Sequence, residues 1–428
     1  LTAGFFSKLT VARNSVQLNR RIKQVFNLTY EFKLKPTTKQ AAIFEDWLEL
    51  CRRVYNYALA ERKHWFQSRS CQINACSIRS EFIIPAEAKR PTYAIQCNAL
   101  TAYRKTSIDL QQVQSQVLQQ TLKRLEKAFV SMWEQNHGFP RFKKAGKMRS
   151  FVFPQLAASP LQGQAIKLPK IGLVKFRKSR PIPDGAKIKQ ARVVRKNSGW
   201  YVLLSLQWDV SVPSAMPHGE GLGIDVGLTN FMATSDGLLV KRQRFFIDAQ
   251  RQLKLLQQRV SRKKTGSNNW KKAQKQVAKL HEYIANSRKD WHWKLAHQLA
   301  GNAGMIFVED LNLIGLSRGM LGKHCLDAGW GQFLAILEQA CFKHGVYFQK
   351  VDAIKTSQIC PNCGVETGKK ELSERTHVCS NCGYTTDRDV AAAQVVLMRG
   401  LAAVGHTVKM LGEGKFIGIP ANQESSRL

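Results

Sequence analysis

The chain has 428 residues, 44% of them hydrophobic, enough for two or three domains with sizeable cores. Sixty-six Lys and Arg stand against 30 Asp and Glu, a net charge of +36, and the basic residues run along the whole length. A confined basic tail is thereby excluded, and nucleic acid is the polyanionic partner implied. No apolar run reaches the ~18 residues of a membrane span. Of ten cysteines, four fall in two CxxC pairs and the other six are scattered without framework spacing, which fits a reducing, cytoplasmic setting with metal rather than disulfides.

Residues 1–26 read as a basic extension, expected to be disordered. Residues 1–30 hold no acid and include Arg13, Arg20, Arg21 and Lys23, a pattern that organelle transit peptides share. "TYEFKLKPTTKQ" then alternates Tyr30, Phe32 and Leu34 against Glu31, Lys33 and Lys35, which predicts a half-buried strand ended by Pro36. Thr37 with Gln40 forms a capping-box pattern for a following helix. The buried stripe of that helix is Phe44, Trp47, Leu48, Cys51, Tyr55, Ala58 and Leu59, and Arg52 and Arg53 lie off it.

A second helix is expected from Leu110 to Glu134, burying Val117, Leu118, Leu122, Leu125, Phe129 and Trp133. Gln112, Gln116, Gln119, Gln120 and Lys123 crowd its other side, suited either to adenine edges or simply to solvent. "GFPRFKKAGKMRSF" interleaves aromatic and basic residues, including Arg141, Lys143 and Lys144, as a segment stacking on bases would, or as an ordinary basic loop would.

Strand signals return over 165–208, and with the first strand they form a small β-barrel into which the helices are inserted. "SVPSAMPHGEG" reads as a linker. Residues 245–300 predict a helical hairpin whose second arm exposes Lys271, Lys272, Lys275 and Lys279, a solvated or phosphate-facing stripe.

Three acids fall at element ends. Asp225 closes the apolar run of "GLGIDVG", Glu309 follows Met305 to Val308, and Asp389 opens the helix "VAAAQVVLM". Each alone is most simply a cap or a surface charge. Together, in so basic a chain, they suit hard divalent cations: two Mg²⁺ ions engaged in phosphodiester hydrolysis. Cys360, Cys363, Cys379 and Cys382 form C-x2-C-x15-C-x2-C, the spacing of one closed, structural Zn²⁺ site. His377 inside that loop is expected to stay out of the filled shell. The metal would supply the folding energy of a small ribbon and so steady Asp389.

"YEFKLKPTTKQ", "CRRVYNYALAER", "GFPRFKK", "GIDVGLTNFMATSDG", "VEDLNLIGLSRGM", "DAGWGQF", "KTSQICPNCG" and "CSNCGYTTDRDVAAA", in this order, resemble the TnpB family of insertion-sequence proteins related to type V CRISPR effectors. The resemblance spans roughly Thr29 to Gly400. It implies a mixed α/β and β, multidomain fold. A wedge β-barrel (27–36 and 151–213) would carry a helical recognition lobe (37–150). An RNase H-like RuvC nuclease domain (214–428) would contain a zinc ribbon at about 355–386 and an irregular tail after 400.

The implied activity is RNA-guided DNA cleavage beside a short flanking motif, with a guide RNA and double-stranded target DNA as partners and one monomer per RNA. Carried over, Asp225, Glu309 and Asp389 are the RuvC acids, with Asp387 and Arg388 supporting. Two departures stand out. Ala391 occupies the place of an Asn in the family's "DRDxNAA", which removes a hydrogen bond from Asp389. Trp293 stands where a His is common, with His292 beside it. An RNA-guided DNA binder with a weakened site and a compact CRISPR effector remain as alternatives. A strand-joining transposase does not fit, since no His-hydrophobe-His motif with a catalytic Tyr is present.

Overall fold

The computed structural model describes residues 26–70, 84–85, 87–208, 215–371, 373–411 and 415–420. The basic extension to residue 25, Cys71, Cys76 and linker residues 211–214 lie outside them. The chain divides into two compact units, 1–212 and 213–428.

In the first unit, β1 (Phe26–Lys35) leads into α1 (Thr38–Ser70). The capping box forms in both directions: Gln40 N–H donates to Thr37 Oγ1 at 3.2 Å and Thr37 N–H to Gln40 Oε1 at 3.1 Å. The stripe from Phe44 to Leu59 is buried as expected. After α2 (Tyr93–Thr106), the expected second helix is two: α3 (Ile108–Gln112) and α4 (Ser115–Glu134). Val113 is extended and fully buried between them. Gln112 therefore ends a different helix from Gln116, Gln119 and Gln120, and the continuous glutamine face does not exist. Trp133, expected inside, is 43% exposed beneath the Arg90 guanidinium.

The sheet strands are β2 (Ser150–Phe153), β3 (Leu161–Gln162), β4 (Ala165–Leu168), β5 (Gly172–Arg177), β6 (Lys187–Lys196) and β7 (Gly199–Trp208). Their order is β2-β6-β7-β1-β5-β4-β3. Edge strands β2 and β3 do not pair, so the expected barrel is an open, half-barrel sheet. Helices and sheet share one core: the Phe44 and Trp47 rings lie 5.9 and 5.5 Å from Phe151, and Phe32 lies 5.2 Å from Phe176. Buried Arg62 is held by Glu126 at 2.6 Å and Gln96 at 2.9 Å, over the Phe129 ring.

The second unit is built on β8 (Gly221–Asp225), β9 (Asn230–Thr234), β10 (Leu239–Lys241), β11 (Met305–Glu309) and β12 (Tyr347–Val351), in the order β10-β9-β8-β11-β12. The first three run antiparallel; β8, β11 and β12 are parallel. The helical arms are α5 (Phe245–Asp248), α6 (Gln250–Ser261) and α7 (Asn268–Gly301), and Lys271, Lys272, Lys275 and Lys279 are exposed. α8 (Leu313–Arg318), α9 (Gly322–Ala328) and α10 (Trp330–His344) follow.

Strand periodicity then sorts the two faces. Leu222, Ile224, Ile306 and Val308 pack with α7 and α10. Met305 and Phe307 pack on the opposite face with α11 (Arg388–Ala403). By the same alternation, Gly221, Gly223 and Asp225, and also Glu309, belong to the α11 face. The helix lies almost on the strand backbone: a Cβ at Gly223 would sit 2.1 Å from Ala393 O, and one at Gly400 would sit 2.1 Å from the Phe307 ring. The tail expected to be irregular instead contains an antiparallel pair, β15 (His406–Leu411) with β16 (Lys415–Pro420).

The close approach at Gly223 sets a stability test. Gly223→Ala is expected to destabilise the second unit by about 3 kcal/mol, because the clashing atoms are backbone and cannot rotate away. Gly301→Ala, with open space around the added methyl, is expected to be neutral. Denaturant unfolding of both variants measures the difference; equal midpoints would refute the seating of α11.

Candidate functional site

Asp225 ends β8 and Glu309 ends β11, the adjacent parallel strand in which Val308 is in register with Ile224. The two carboxyls are hydrogen-bonded to each other, and Asp389, in the first turn of α11, lies near enough for its charge to act on Asp225. Burial first, then the Glu309 and Asp389 charges, hold the Asp225 carboxyl well above the usual aspartate range. Burial also raises Glu309, opposed by hydrogen bonds from the Thr356 hydroxyl and Asp225 and by the Arg399 charge. Crowding of buried carboxyls thus disfavours the charged form of both Asp225 and Glu309.

The support of each acid is local. Thr356 Oγ1 donates to Glu309 Oε1. Asp387 caps α11, accepting from Asp389 N–H at 2.8 Å and Val390 N–H at 3.3 Å. Arg388 ties the helix start to the preceding loop: its N–H donates to Arg375 O at 2.7 Å and its Nη1 to Glu371 O at 2.7 Å. Asn230 Nδ2 donates to Asp389 Oδ2 at 3.3 Å. Thr356 and Asn230 escaped the sequence reading, since neither lies within a dozen residues of the acid it holds except through the fold.

Between Thr356 and Asp387 lies the cysteine ribbon. Cys360 and Cys382 sulfurs are 3.7 Å apart, Cys363 and Cys379 sulfurs 3.6 Å, and all four lie within 4.8 Å of one another. A tetrahedral ion with metal–sulfur bonds near 2.3 Å would put sulfurs ~3.8 Å apart, so the cluster fits zinc and is far too open for disulfides. Each pair sits on a tight turn closed by a glycine with positive φ, Gly364 at +74° and Gly383 at +72°. The Val365 N–H, followed by Asn381, lowers the Cys363 thiol to about 6.

The ribbon strands β13 (Thr376–Val378) and β14 (Thr385–Asp387) pair directly before α11. His377 is buried against Lys370 Nζ and stands outside the four-sulfur group. Among the described residues, the three carboxylates do not form a group with all ligand atoms within 4.8 Å of one another, as the four sulfurs do. The carboxylate oxygens are donors of the hard type that a divalent cation such as Mg²⁺ takes, with water completing the shell.

The residues expected to touch nucleic acid fare unevenly. Arg52 is spent internally on Glu49, at 2.8 Å through Nε, and on Lys143 O at 3.1 Å. The Lys143 backbone is clasped by Asn56 and its ammonium lies over Tyr55. Gln116 bonds Gln155 at 3.0 Å, and Gln119 is half-buried. Arg53, Gln112, Lys123, Arg141, Lys144, Lys271 and Lys272 are exposed, Arg53 facing Asp109 at 3.7 Å. His292 is a core residue bonded to Ala328 O at 3.1 Å, its pKa lowered to about 4 by burial. Trp293 stacks on His297.

Family models match three stretches: OrfB_IS605, "Probable transposase", over residues 205–319; "Cas12f1-like, TNB domain" over 330–396; and the OrfB_IS605 "Helix-turn-helix domain" over 26–71, here one strand and one continuous helix. An Escherichia coli (strain K12) protein named "Putative RNA-guided DNA endonuclease InsQ" is 30% identical over 415 residues, covering 93% of this chain and 97% of its own. A Streptomyces pristinaespiralis "Putative RNA-guided DNA endonuclease" is 31% identical over 405 residues, covering 93% of each. A solved Cas12f1–sgRNA–target DNA complex aligns at a TM-score of 0.33 and 15% identity over 87% of this chain and 99% of that one, too loosely to carry weight.

Two measurements follow from this geometry. Cys379→Ser is expected to lower bound zinc from about one per chain to near none, read by elemental analysis; full retention would contradict a closed four-sulfur site. The second concerns Asp225, whose folded pKa lies above its ordinary 3.8. Its contribution to stability is present below about pH 4 and lost as pH rises through the folded value. Without divalent ions, Asp225→Asn should therefore melt higher than the native chain at neutral pH and no differently near pH 3. A native chain that is equally stable at neutral pH would refute the crowding.

Proposed function

Since the chain belongs to the OrfB (TnpB) family of IS605-type insertion sequences, we propose that it is an RNA-guided DNA endonuclease of RuvC type. On this reading a guide RNA selects the target strand by base pairing, and the protein reads a short flanking DNA motif. The observation that carries the catalytic half is the convergence of Asp225, Glu309 and Asp389 at one end of the β8–β11 pair, beneath α11. The mixed five-stranded sheet, antiparallel then parallel, supports an RNase H-like domain.

Asp225, Glu309 and Asp389 would hold two magnesium ions, which when bound supply water activation and charge neutralisation at the leaving oxygen. The chain's own residues do the rest. Thr356 fixes one Glu309 oxygen, Oε1, and with it the orientation of the carboxyl. Asp387 sets the first turn of α11 and hence the height of Asp389. The structural zinc holds the ribbon from which both Thr356 and Asp387 emerge.

Nucleic-acid binding is supported by charge placement as well as by the total. On the outer face of the half-barrel, Lys33 stands opposite Arg177 and Lys35 opposite Lys175, all exposed, and none forms an ion pair among the described residues. Like charges facing across a ladder are destabilising. A phosphate backbone removes that repulsion and releases its counterions. No helix is long and apolar enough to cross a membrane among the described residues.

The test is a reconstituted ribonucleoprotein given matching DNA and Mg²⁺. The native complex is expected to cleave; Asp225→Ala should lose cleavage by at least about a thousandfold while keeping RNA affinity, because only the metal-bearing acid is gone. Undiminished cutting by Asp225→Ala would sink the mechanism.

A further inference from the structure

We propose that Asn230 is the positioning residue for Asp389, the neutral amide that holds this carboxylate toward the divalent cation. The inference rests on the nuclease reading above and names the element that completes its third acid.

The backbone of Asp389 is fixed by its own N–H bond to Asp387 and by the helix that begins there. Its side chain keeps two rotatable torsions, and α11 gives it nothing to hold. Ala391, two residues on, is buried and carries no polar atom. Among the described residues, the hydrogen bond to the Asp389 carboxylate comes instead from Asn230, 159 residues away in the chain.

Asn230 can reach because of how the β8–β9 connection folds. Asn230 opens β9 and is paired with Lys241, so its backbone is anchored. Gly227 N–H donates back to Phe231 O at 3.3 Å, curling the loop. A Cβ at Gly227 would lie 3.2 Å from Asn230 O and 4.0 Å from Asp389 Oδ2, so the connection passes directly over the acid. One short loop thus begins at Asp225 and ends by gripping Asp389, which couples the placement of two of the three acids.

The chemistry of the donor also fits. A carboxamide donates one N–H to Oδ2 and leaves Oδ1 and a lone pair of Oδ2 for a cation. Lys or Arg there would repel the cation, and Asp would add a fourth negative charge to an already crowded cluster. Residues that orient a metal-binding carboxylate typically contribute 10–100-fold to metal affinity.

The experiment uses the full chain with its guide RNA. Mn²⁺ is titrated in the absence of DNA and followed by its electron paramagnetic resonance signal; Mg²⁺ dependence of DNA cleavage is measured in parallel. Asn230→Ala is expected to weaken Mn²⁺ about tenfold. It should also raise the Mg²⁺ needed for half-maximal cleavage by a similar factor, with most of the rate recovered at high Mg²⁺. Asn230→Ser, which retains a donor, should recover part of the affinity.

Melting temperature and zinc content establish that each variant is folded, and Asn230→Leu, which keeps the side-chain volume, replaces the alanine variant if that one is not. Native Mn²⁺ affinity and Mg²⁺ dependence in a folded variant without a donor overturn the assignment of Asn230. Asp225→Ala is the reference: should it bind Mn²⁺ as the native chain does, the acids are not the metal site and both the nuclease reading and this proposal fall.

Discussion

The second unit depends on one contact, the seating of α11 against the bare backbone of β8. A strand presents alternate residues to each face, and on this face β8 shows Gly221, Gly223 and then Asp225. The two glycines let helix atoms approach to a distance no side chain would permit. The helix can then start beside the strand ends, which is where its first turn delivers Asp389. A helix lifted by even one methyl would carry that carboxylate away from the other two. Packing and chemistry are the same constraint at this point of the fold.

The four-cysteine ribbon makes sense in the same terms. It has almost no apolar core of its own, and four thiolates at tetrahedral spacing take the place of one. Its two ends are tied to the acids, Thr356 to Glu309 at the entrance and Asp387 to the Asp389 turn at the exit. A loop of comparable length without metal would leave both ends to fluctuate, and the acids with them.

The sequence revealed whatever was written in short-range pattern. The element ends at which Asp225, Glu309 and Asp389 stand were legible because each closes or opens a run whose period declares its element. The cysteines were legible from spacing, and the Thr37–Gln40 cap from residue type alone. What failed needed information from far along the chain. Whether β2 and β3 meet to close a barrel depends on curvature, not on the strands themselves. The break at Val113 carries no Gly or Pro to announce it. Arg52 looked free until Glu49 and the Lys143 carbonyl were placed beside it. The tail hairpin was a missed signal of a simpler kind, since Gly412 and Gly414 separate two short alternating stretches. Asn230 was hidden because its partner is 159 residues distant.

The ribbon leaves and re-enters the sheet unit at two neighbouring points, both already clamped. Topologically it is a bulb on a closed neck. Extending such a segment costs only ~0.6 kcal/mol for each doubling of its length, and none of that strain reaches the neck. Changes of length in the far turns of the ribbon would therefore leave the acids where they are, provided the four cysteines and the Glu371, Arg375 and Thr376 contacts to the α11 start are kept, so these turns are where the segment has room to change size without touching chemistry.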